Sequence, residues 1–456
     1  MIVNKNIYNY LGDYTIQSFE KYIFIYSFYI HSFPLLVSNF VTGLFYQENF
    51  QLKVLLIEKY SLAFLAIYLL VTMTYNIFIK KERINKCQIM LTSFFLFIVF
   101  TTMLVNGKKL AFDYFTKISL FHLAMEIIFM FNIASHLSDS QFKSLLKICG
   151  FSLLTILFLL NISSLIIYWF SLFGFSVDVF GMNVVFPVIE YRPGILNQTC
   201  RYSGFYWNSG IVGILCSPAV ALGLVLGDIS KYKISKMFLI LSGLSNIAMV
   251  FLSNSRTGLI VLGVLFCFSL SYYLKKYLYS TKKVICVIFF VLFSLIGVIC
   301  IAKYASVHSF ITTLASNPYN TLKTVMTGRM ELFEKVIEMI KNNPWIGCGW
   351  NKKIQPDWNG GRIAFDSAHN LFISVLLWGG LIGLGLFLVF LSFAIYEIIH
   401  SKKINNPWLV GFVICCLTFS MTEQGLLGAS RDTIGYLFWL ILGYLCTGCK
   451  CEHVSG

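Results

Sequence analysis

The chain has 456 residues, of which 57% are hydrophobic and only 12% are charged, and its formal net charge is +15 at pH 7. A soluble domain carries roughly twice that proportion of charge, so the composition excludes an ordinary soluble globular protein. Much of the positive charge lies in short segments between apolar runs, where lysine and arginine set the orientation of membrane proteins. Nucleic-acid binding is therefore not the predicted use of this charge.

Apolar runs recur along the whole chain, and runs of about 20 residues are long enough to cross a bilayer as helices. They predict an all-α polytopic membrane protein with about twelve transmembrane helices. A single membrane-embedded domain over residues 1–456 is the simplest partition. The predicted spans are 22–46, 52–79, 87–106, 118–137, 148–171, 209–227, 236–253, 257–274, 283–302, 369–398, 407–421 and 432–447.

Lysine-rich loops indicate how the spans are oriented. Those at 80–83, 231–236, 275–283 and 402–403 all fall on one side of the alternating path. That side is predicted to be cytoplasmic, because short cytoplasmic loops carry an excess of lysine and arginine. The long connection 172–208 and the larger loop 303–368 then lie on the extracytoplasmic face.

The loop 303–368 contains an amphipathic stretch from 329 to 341. Its apolar residues recur at spacings of three and four, which predicts a helix. Such a helix is expected to lie along the outer membrane interface. Pro344 follows the stretch and cannot continue a helix, and Gly347 and Gly349 indicate a turn after it.

Three arginines, Arg201, Arg256 and Arg329, are each predicted to sit where a span or loop helix meets the outer face. A guanidinium is permanently charged and offers a planar set of donors that matches phosphate oxygens. The serine, asparagine, threonine and glycine residues around Arg256, Ser255 among them, indicate a built polar site. Contact with lipid headgroups is the alternative for this arginine.

A histidine at the start of the tenth span is the second candidate. Asp366 or Ser367 is predicted to cap that helix, which would place His369 in its first turn. An imidazole there can take a proton from a hydroxyl group. A histidine that only makes a hydrogen bond at the helix start is the alternative.

Aromatic residues of the outer segments, Tyr206 and Trp350 among them, are interpreted as stacking faces for sugars, with an interfacial belt as the alternative. Cys200 and Cys348 both fall in outer loops, and whether they pair is left open. The sequence contains no Asp-x-Asp pair, and neither a metal ion nor another cofactor is predicted.

Four segments, in this order, resemble the O-antigen ligase and polymerase superfamily, which includes the Wzy-type polysaccharide polymerases. The resemblance covers about residues 200–390 and departs from the family at Ser209, where proline is frequent. The four segments are Arg201-x-x-Gly204-x-x-x-Asn208, Ser255-Arg256-Thr257-Gly258, Gly328-Arg329 with Pro344-x-x-Gly347-x-Gly349 downstream, and His369-Asn370 before the glycines Gly379-Gly380.

The resemblance implies a multi-span, GT-C-like, metal-independent glycosyltransferase of the bacterial cytoplasmic (inner) membrane. Its active site would face the periplasm, and its donor and acceptor would be undecaprenyl-diphosphate-linked glycans. By resemblance, Arg256, Arg329 and Arg201 hold the donor diphosphate, while His369 serves the acceptor hydroxyl. In-line attack opposite the leaving group predicts inversion at the sugar carbon. Membrane lipids and a chain-length regulator protein are further implied partners. The other residues implied in substrate binding are Asn208, Ser255 and Asn370.

Three functions are compared. A polymerase that joins repeat units is favoured, and an O-antigen ligase that moves finished glycan onto lipid A core is the alternative within the family. A transporter of lipid-linked oligosaccharide is the third. Transporters place ionisable groups or broken helices near the bilayer midplane, and the predicted spans carry few charges at their centres.

Overall fold

The computed structural model describes most of the chain from residue 85 onwards. The described residues are 21–29, single positions between 64 and 74, 85–106, 120–172, 177–179, 182–184, 189–192, 199–202, 204, 206, 209–277, 329–350, 352, 354–355, 368–400, 406–421, 426–427 and 433–446.

The described residues are mainly helical. A short helical stretch at 21–29 packs its buried side chains into the same core as the later helices. The later helices are α1 Lys86–Asn106, α2 Leu120–His136, α3 Asp139–Leu172, α4 Ser209–Ile229, α5 Lys233–Leu252, α6 Arg256–Tyr277, α7 Arg329–Lys341, α8 Leu371–His400, α9 Pro407–Ser420 and α10 Thr433–Cys446.

Six of these helices, α1, α3, α4, α5, α6 and α8, are long and apolar enough to cross a membrane. The chain is therefore an integral membrane protein with several spans. Helices α2, α9 and α10 are apolar but shorter, and they coincide with predicted spans. The total of twelve stays a prediction, because the predicted span 283–302 and most of 22–46 and 52–79 lie outside the described residues.

Helix α3 begins at Asp139, well before the predicted start at 148. The backbone N–H of Ser138 donates to the Gln141 side-chain oxygen at 2.9 Å. The N–H of Gln141 donates back to the Ser138 hydroxyl at 3.4 Å. This reciprocal pair is a capping box. The predicted span begins later than the helix because the first turn of α3 is polar and precedes the apolar run.

Two short antiparallel ribbons occupy part of the first outer connection, and the sequence analysis did not predict them. They add to a helical fold without changing its class. In the second ribbon Arg201 stands directly opposite Glu190, a register that places the two residues on the same face. The strands are β1 Val177–Val179 paired with β2 Met182–Val184, and β3 Ile189–Arg192 paired with β4 Thr199–Tyr202.

Helix α7 packs against α8, and its predicted position along the outer membrane interface stays a prediction. The helix itself was predicted correctly. Leu332, Val336 and Ile340 form a stripe at four-residue spacing, and all three are buried in the protein core. Ile337 lies beside that stripe and stays exposed. The apolar face is therefore used mainly to attach the outer loop to the helix bundle.

Helix α8 is kinked. Gly380 has φ 61° and ψ −159°, which no helical residue adopts, and it divides α8 into the segment 371–379 and a longer segment that ends at His400. The break coincides with the glycine pair Gly379-Gly380 in an otherwise apolar run. The start of α8, next to His369, therefore belongs to a separate short helical segment.

Candidate active site

Four helix ends meet at one end of the bundle, which we call the loop end: the starts of α4, α6 and α8 and the final residue after α9, Met421. A Cβ atom on Gly213 of α4 would overlap the hydroxyl of Ser255, so the starts of α4 and α6 touch. The Asn370 side-chain amide donates to the Met421 carbonyl at 2.6 Å, so the start of α8 touches the end of α9.

Helices α6 and α9 connect these two contacts. Phe268 of α6 and Trp408 of α9 pack edge to face, with ring centroids 6.3 Å apart. From this contact α6 runs back to Arg256 and α9 runs on to Met421, over about 18 and 20 Å at 1.5 Å per residue. Arg256 therefore lies at nearly the same height as Met421, and Met421 contacts the start of the helix that follows His369.

The turn that carries Arg256 is held by its own backbone and caps. Asn254 adopts φ 48° after the C-cap Ser253, the left-handed conformation in which asparagine often ends a helix. The Ser255 hydroxyl then accepts from the N–H of Gly258 at 3.3 Å, which makes Ser255 the N-cap of α6. Ser255 is buried, while Arg256, the first residue of α6, is exposed. The turn therefore presents a charged side chain on a fixed backbone.

The glycine of the Ser255-Arg256-Thr257-Gly258 motif allows the helices to approach closely. A Cβ atom on Gly258 would lie 2.8 Å from a Val250 methyl group and 3.0 Å from the Gly213 Cα atom. Both neighbours belong to packed helices, α5 and α4, and neither can move away freely. This contact fixes the start of α6 against two helices and so fixes the position of Arg256.

His369 lies just before α8, so the prediction that it occupies the first helical turn was wrong. Asn370 is the N-cap: its side-chain oxygen accepts from the N–H of Ile373 at 3.0 Å. The cap is therefore Asn370, and the predicted caps Asp366 and Ser367 lie outside the described residues. Because the cap precedes the first helical residue, His369 stands one position before the cap and outside the helix.

The backbone of His369 is held in an unusual conformation. Its φ of 50° falls in the left-handed region, which costs roughly 1–2 kcal/mol for a residue with a side chain. The turn is held on both sides: the N–H of Ala368 donates to the Ser374 hydroxyl at 3.3 Å, and the N–H of Ser374 donates to the Asn370 carbonyl at 2.9 Å. Strained residues of this kind cluster at functional sites.

The remaining predicted residues are placed only in part. Arg329 is the first residue of α7 and Arg201 belongs to β4, but their side chains lie outside the described part of the structure, as does the whole of Asn208. Ser255 and Asn370, both predicted to bind substrate, act here as helix caps. Their substrate-binding roles stay predictions.

Tyr206 anchors the Arg201–Asn208 motif to the membrane helices. Its hydroxyl donates to the Asn161 side-chain oxygen of α3 at 2.6 Å, and the Asn161 amide donates to Asn246 of α5 at 2.9 Å. Burial raises the pKa of the Tyr206 phenol well above its usual value, so the hydroxyl keeps its proton as a donor. The signal for this role was a tyrosine inside the motif, with asparagines in two neighbouring spans.

Two aromatic residues interpreted as sugar-stacking faces cannot serve as such, because Tyr206 is 4% exposed and Trp350 is 3% exposed. That interpretation was wrong for both. Trp345, by contrast, is exposed. Cys348 is a free and buried cysteine whose thiol donates to the Met339 carbonyl at 3.5 Å, so the structure does not pair it with Cys200.

The described residues at the loop end thus combine a guanidinium on a fixed helix start and an imidazole on a strained turn. Guanidinium groups bind phosphate oxygens, and helix N-termini favour anions. Within the ranges that the structure describes, no three His, Cys, Asp or Glu residues lie together as metal ligands. The arrangement suits an anionic substrate whose reaction includes a proton transfer.

Comparison with known proteins gives a family for this region. A family model described as O-antigen ligase matches residues 237–388. The resemblance to the O-antigen ligase and polymerase superfamily is confirmed. No curated protein matches the chain. The matched region runs from α5 into α8, so it includes Arg256, Arg329 and His369 and leaves out Arg201 and Asn208.

This match supports a membrane enzyme of O-antigen or polysaccharide assembly. The match fits a polymerase and a ligase equally. Its limits also separate the predicted residues into two groups. Arg256 and His369 lie inside the matched region, whereas Arg201 lies outside it on β4.

We expect Tyr206→Phe to lower the stability of the protein by about 1–3 kcal/mol, because the buried oxygen of Asn161 would lose its short donor. Thermal unfolding of the purified protein measures this effect. Tyr232→Phe is the matched control, since that side chain is 78% exposed. Equal melting temperatures for the two variants would contradict the anchoring role.

Proposed function

We propose that this protein is a polysaccharide polymerase of the bacterial inner membrane. It joins undecaprenyl-diphosphate-linked oligosaccharide repeat units into O-antigen or capsular polysaccharide at the periplasmic face. The observation that supports this proposal most is the gathering of Arg256 and His369 at one end of the bundle, inside the region that matches the O-antigen ligase family.

Arg256 binds the donor diphosphate in this proposal. The sugar leaves a lipid diphosphate, and negative charge grows on that leaving group as the bond breaks. A guanidinium fixed at a helix start stabilises this charge without reorganisation, and such preorganised electrostatics usually supplies the largest catalytic contribution. The amide groups at the start of α6 add a partial positive charge. Arg329 at the start of α7 contributes a second guanidinium, and Arg201 a third.

His369 acts on the acceptor. Its imidazole takes the proton from the attacking sugar hydroxyl, the new glycosidic bond forms, and the bond to the diphosphate breaks on the opposite side. The configuration at the sugar carbon is therefore inverted. General-base catalysis of this kind contributes about 10²–10⁴-fold to the rate. No metal ion is needed, because the guanidinium groups neutralise the diphosphate.

The partners follow from this reaction. The donor and the acceptor are both lipid-linked glycans, so the substrate-binding surface must open towards the membrane as well as the periplasm. Ser255, Asn370 and Asn208 contact substrate only secondarily, since the first two already cap helices. A chain-length regulator protein is a further partner in this proposal, and the reaction is contained in one membrane domain.

An O-antigen ligase is the alternative, and the family match supports it equally. The donor chemistry would be the same, with diphosphate held by arginine and the acceptor activated by His369. Only the acceptor differs, because a ligase would transfer finished glycan onto lipid A core. The polymerase and the ligase are therefore distinguished by the products they form, because the residues of the site would act in the same way in both.

We expect His369→Asn to fold normally and to lose about 10²–10⁴-fold in transfer rate, the contribution of a general base. Asparagine adopts the left-handed conformation readily, but its amide cannot take a proton. The rate is measured with purified protein and a lipid-diphosphate-linked repeat unit. His400→Asn, at the far end of α8, is the matched control. A wild-type rate in His369→Asn would remove His369 from the mechanism.

Arg256→Gln should abolish the glycan ladder of a complemented deletion strain, with a loss of at least about 10²-fold in transfer rate for one missing electrostatic group. Arg256→Lys should restore part of the activity, because the charge returns without the planar donor set. Lys236→Gln changes an exposed cation on α5 and should leave the ladder intact. A full ladder in Arg256→Gln would exclude the arginine from diphosphate binding.

Deletion of the gene separates the two enzyme functions. Loss of a polymerase should leave surface lipid with a single repeat unit, since attachment still works while extension does not. Loss of a ligase should instead leave long polymer on its lipid carrier and none on the surface. Electrophoresis of surface glycan together with extraction of lipid-linked glycan distinguishes the outcomes, and the second pattern would overturn the polymerase proposal.

A further inference from the structure

The kink in α8 leaves backbone groups without their helical partners, and another part of the chain supplies them. In a regular helix the N–H groups of Leu381 and Ile382 would donate to carbonyls four residues earlier. At the Gly380 break they do not. The N–H of Leu381 donates to the Pro344 carbonyl at 2.8 Å. The N–H of Ile382 donates to the Trp345 carbonyl at 3.2 Å.

The carbonyls on the other side of the break are satisfied by the same turn. The N–H of Cys348 donates to the Leu377 carbonyl at 2.7 Å, and the N–H of Gly349 donates to the Trp378 carbonyl at 3.1 Å. The 344–349 turn therefore completes four hydrogen bonds of the helix. A buried backbone group left unpaired costs about 1–3 kcal/mol, so the kink is stable only while the turn stays docked.

Glycine is required at the contact between the turn and the helix. Gly347 and Gly380 have φ of 70° and 61°. A Cβ atom on Gly347 would lie 2.5 Å from the Gly380 nitrogen, and one on Gly380 would overlap the Trp345 backbone. The two glycine motifs that the sequence separates are therefore one structural unit.

The far side of the turn is attached to the end of α1. The N–H of Trp350 donates to the Thr102 hydroxyl at 2.9 Å, and the Asn106 amide donates to the Cys348 carbonyl at 3.0 Å. The ring of Trp350 also packs on that of Trp378, with centroids 4.1 Å apart. The turn is thus held between α1 and the first segment of α8.

This first segment connects the break to the His369 turn. Residues 371–379 span about 13 Å at 1.5 Å per residue. A change of about 10° in their direction at Gly380 therefore moves the start of α8 by about 2 Å. A misplacement of about 1 Å can cost a reaction on the order of 10²-fold. The direction of the segment at the Gly380 break therefore determines the position of His369, two residues before Leu371.

We propose that the 344–349 turn is a positioning element: by completing the backbone hydrogen bonds of α8 at Gly380, it sets the direction of the segment that carries His369. Thr102 and Asn106 are positioning residues, because they hold the turn in place. The inference rests on the proposed function for the role of His369, but the coupling of turn and kink does not depend on it.

Three matched variants of the full-length protein test this proposal. Thr102→Val removes the acceptor for Trp350 and keeps the shape of the side chain, while Thr102→Ser restores the hydroxyl. Thr101→Val is the control, because the buried Thr101 hydroxyl donates only within α1, to the Ile98 carbonyl at 3.0 Å. Asn106→Ala is a milder second variant if Thr102→Val yields no folded protein.

Two measurements are made on each variant. Hydrogen–deuterium exchange should rise together in peptides that cover 344–350 and 377–382 of Thr102→Val, and not in Thr101→Val. With a lipid-diphosphate-linked glycan, kcat should fall about tenfold or more while KM for the donor stays within about twofold, as expected for misplaced chemistry with intact binding. Thr102→Ser should recover both values.

Each contrary result has a definite meaning. If exchange rises in the turn alone, the turn does not maintain the kink and the proposal is overturned. If both peptides exchange faster while kcat is unchanged, the kink does not position the site and the proposal is also overturned. If the wild-type protein does not turn over the donor, the proposed function fails, and the exchange measurement still decides whether the turn sets the backbone of α8.

Discussion

Backbone groups in this protein must find hydrogen-bond partners within the chain, because the hydrocarbon of a membrane offers none. A regular helix meets this requirement by itself, but every helix start and every break needs help from outside the ladder. Ser255 and Asn370 supply it at the starts of α6 and α8. At Gly380 a whole turn supplies it. The polar and irregular parts of the fold are therefore concentrated at helix ends and breaks, where the helix cannot pair all of its own backbone groups.

Much of the fold could be predicted from the sequence, because long apolar runs identify the segments that must pair their backbone groups as membrane-spanning helices. The predicted span 209–227 corresponds to Ser209–Ile229, and 87–106 corresponds to Lys86–Asn106. Three features escaped. The first turn of α3 is polar and is defined by a capping box. The kink at Gly380 lies within an apolar run, and hydropathy has no information about helix direction. Short ribbons in a polar connection also lack the long alternation that identifies strands.

The sequence predicts which residues gather at the candidate site, but it does not predict which of them bind substrate and which cap helices. Small polar residues beside Arg256 and His369 looked like substrate ligands, and a serine or an asparagine suits either that role or a helix cap. Only the geometry shows Ser255 and Asn370 capping helices. Tyr206 was recognised as aromatic, but its hydroxyl is used inside the bundle. Such roles depend on partners far away in the sequence, which no local pattern reveals.

The broken helix also bears on the choice between an enzyme and a transporter. In transporters, the backbone groups freed by a broken helix face the substrate or ion and bind it. In α8 the freed carbonyls of Leu377 and Trp378 accept from the chain's own 344–349 turn. The break is therefore filled by protein and offers no ion site through those groups. Because the 344–349 turn occupies the break, the direction of the segment 371–379 is fixed. A catalytic residue next to the start of that segment requires a fixed direction.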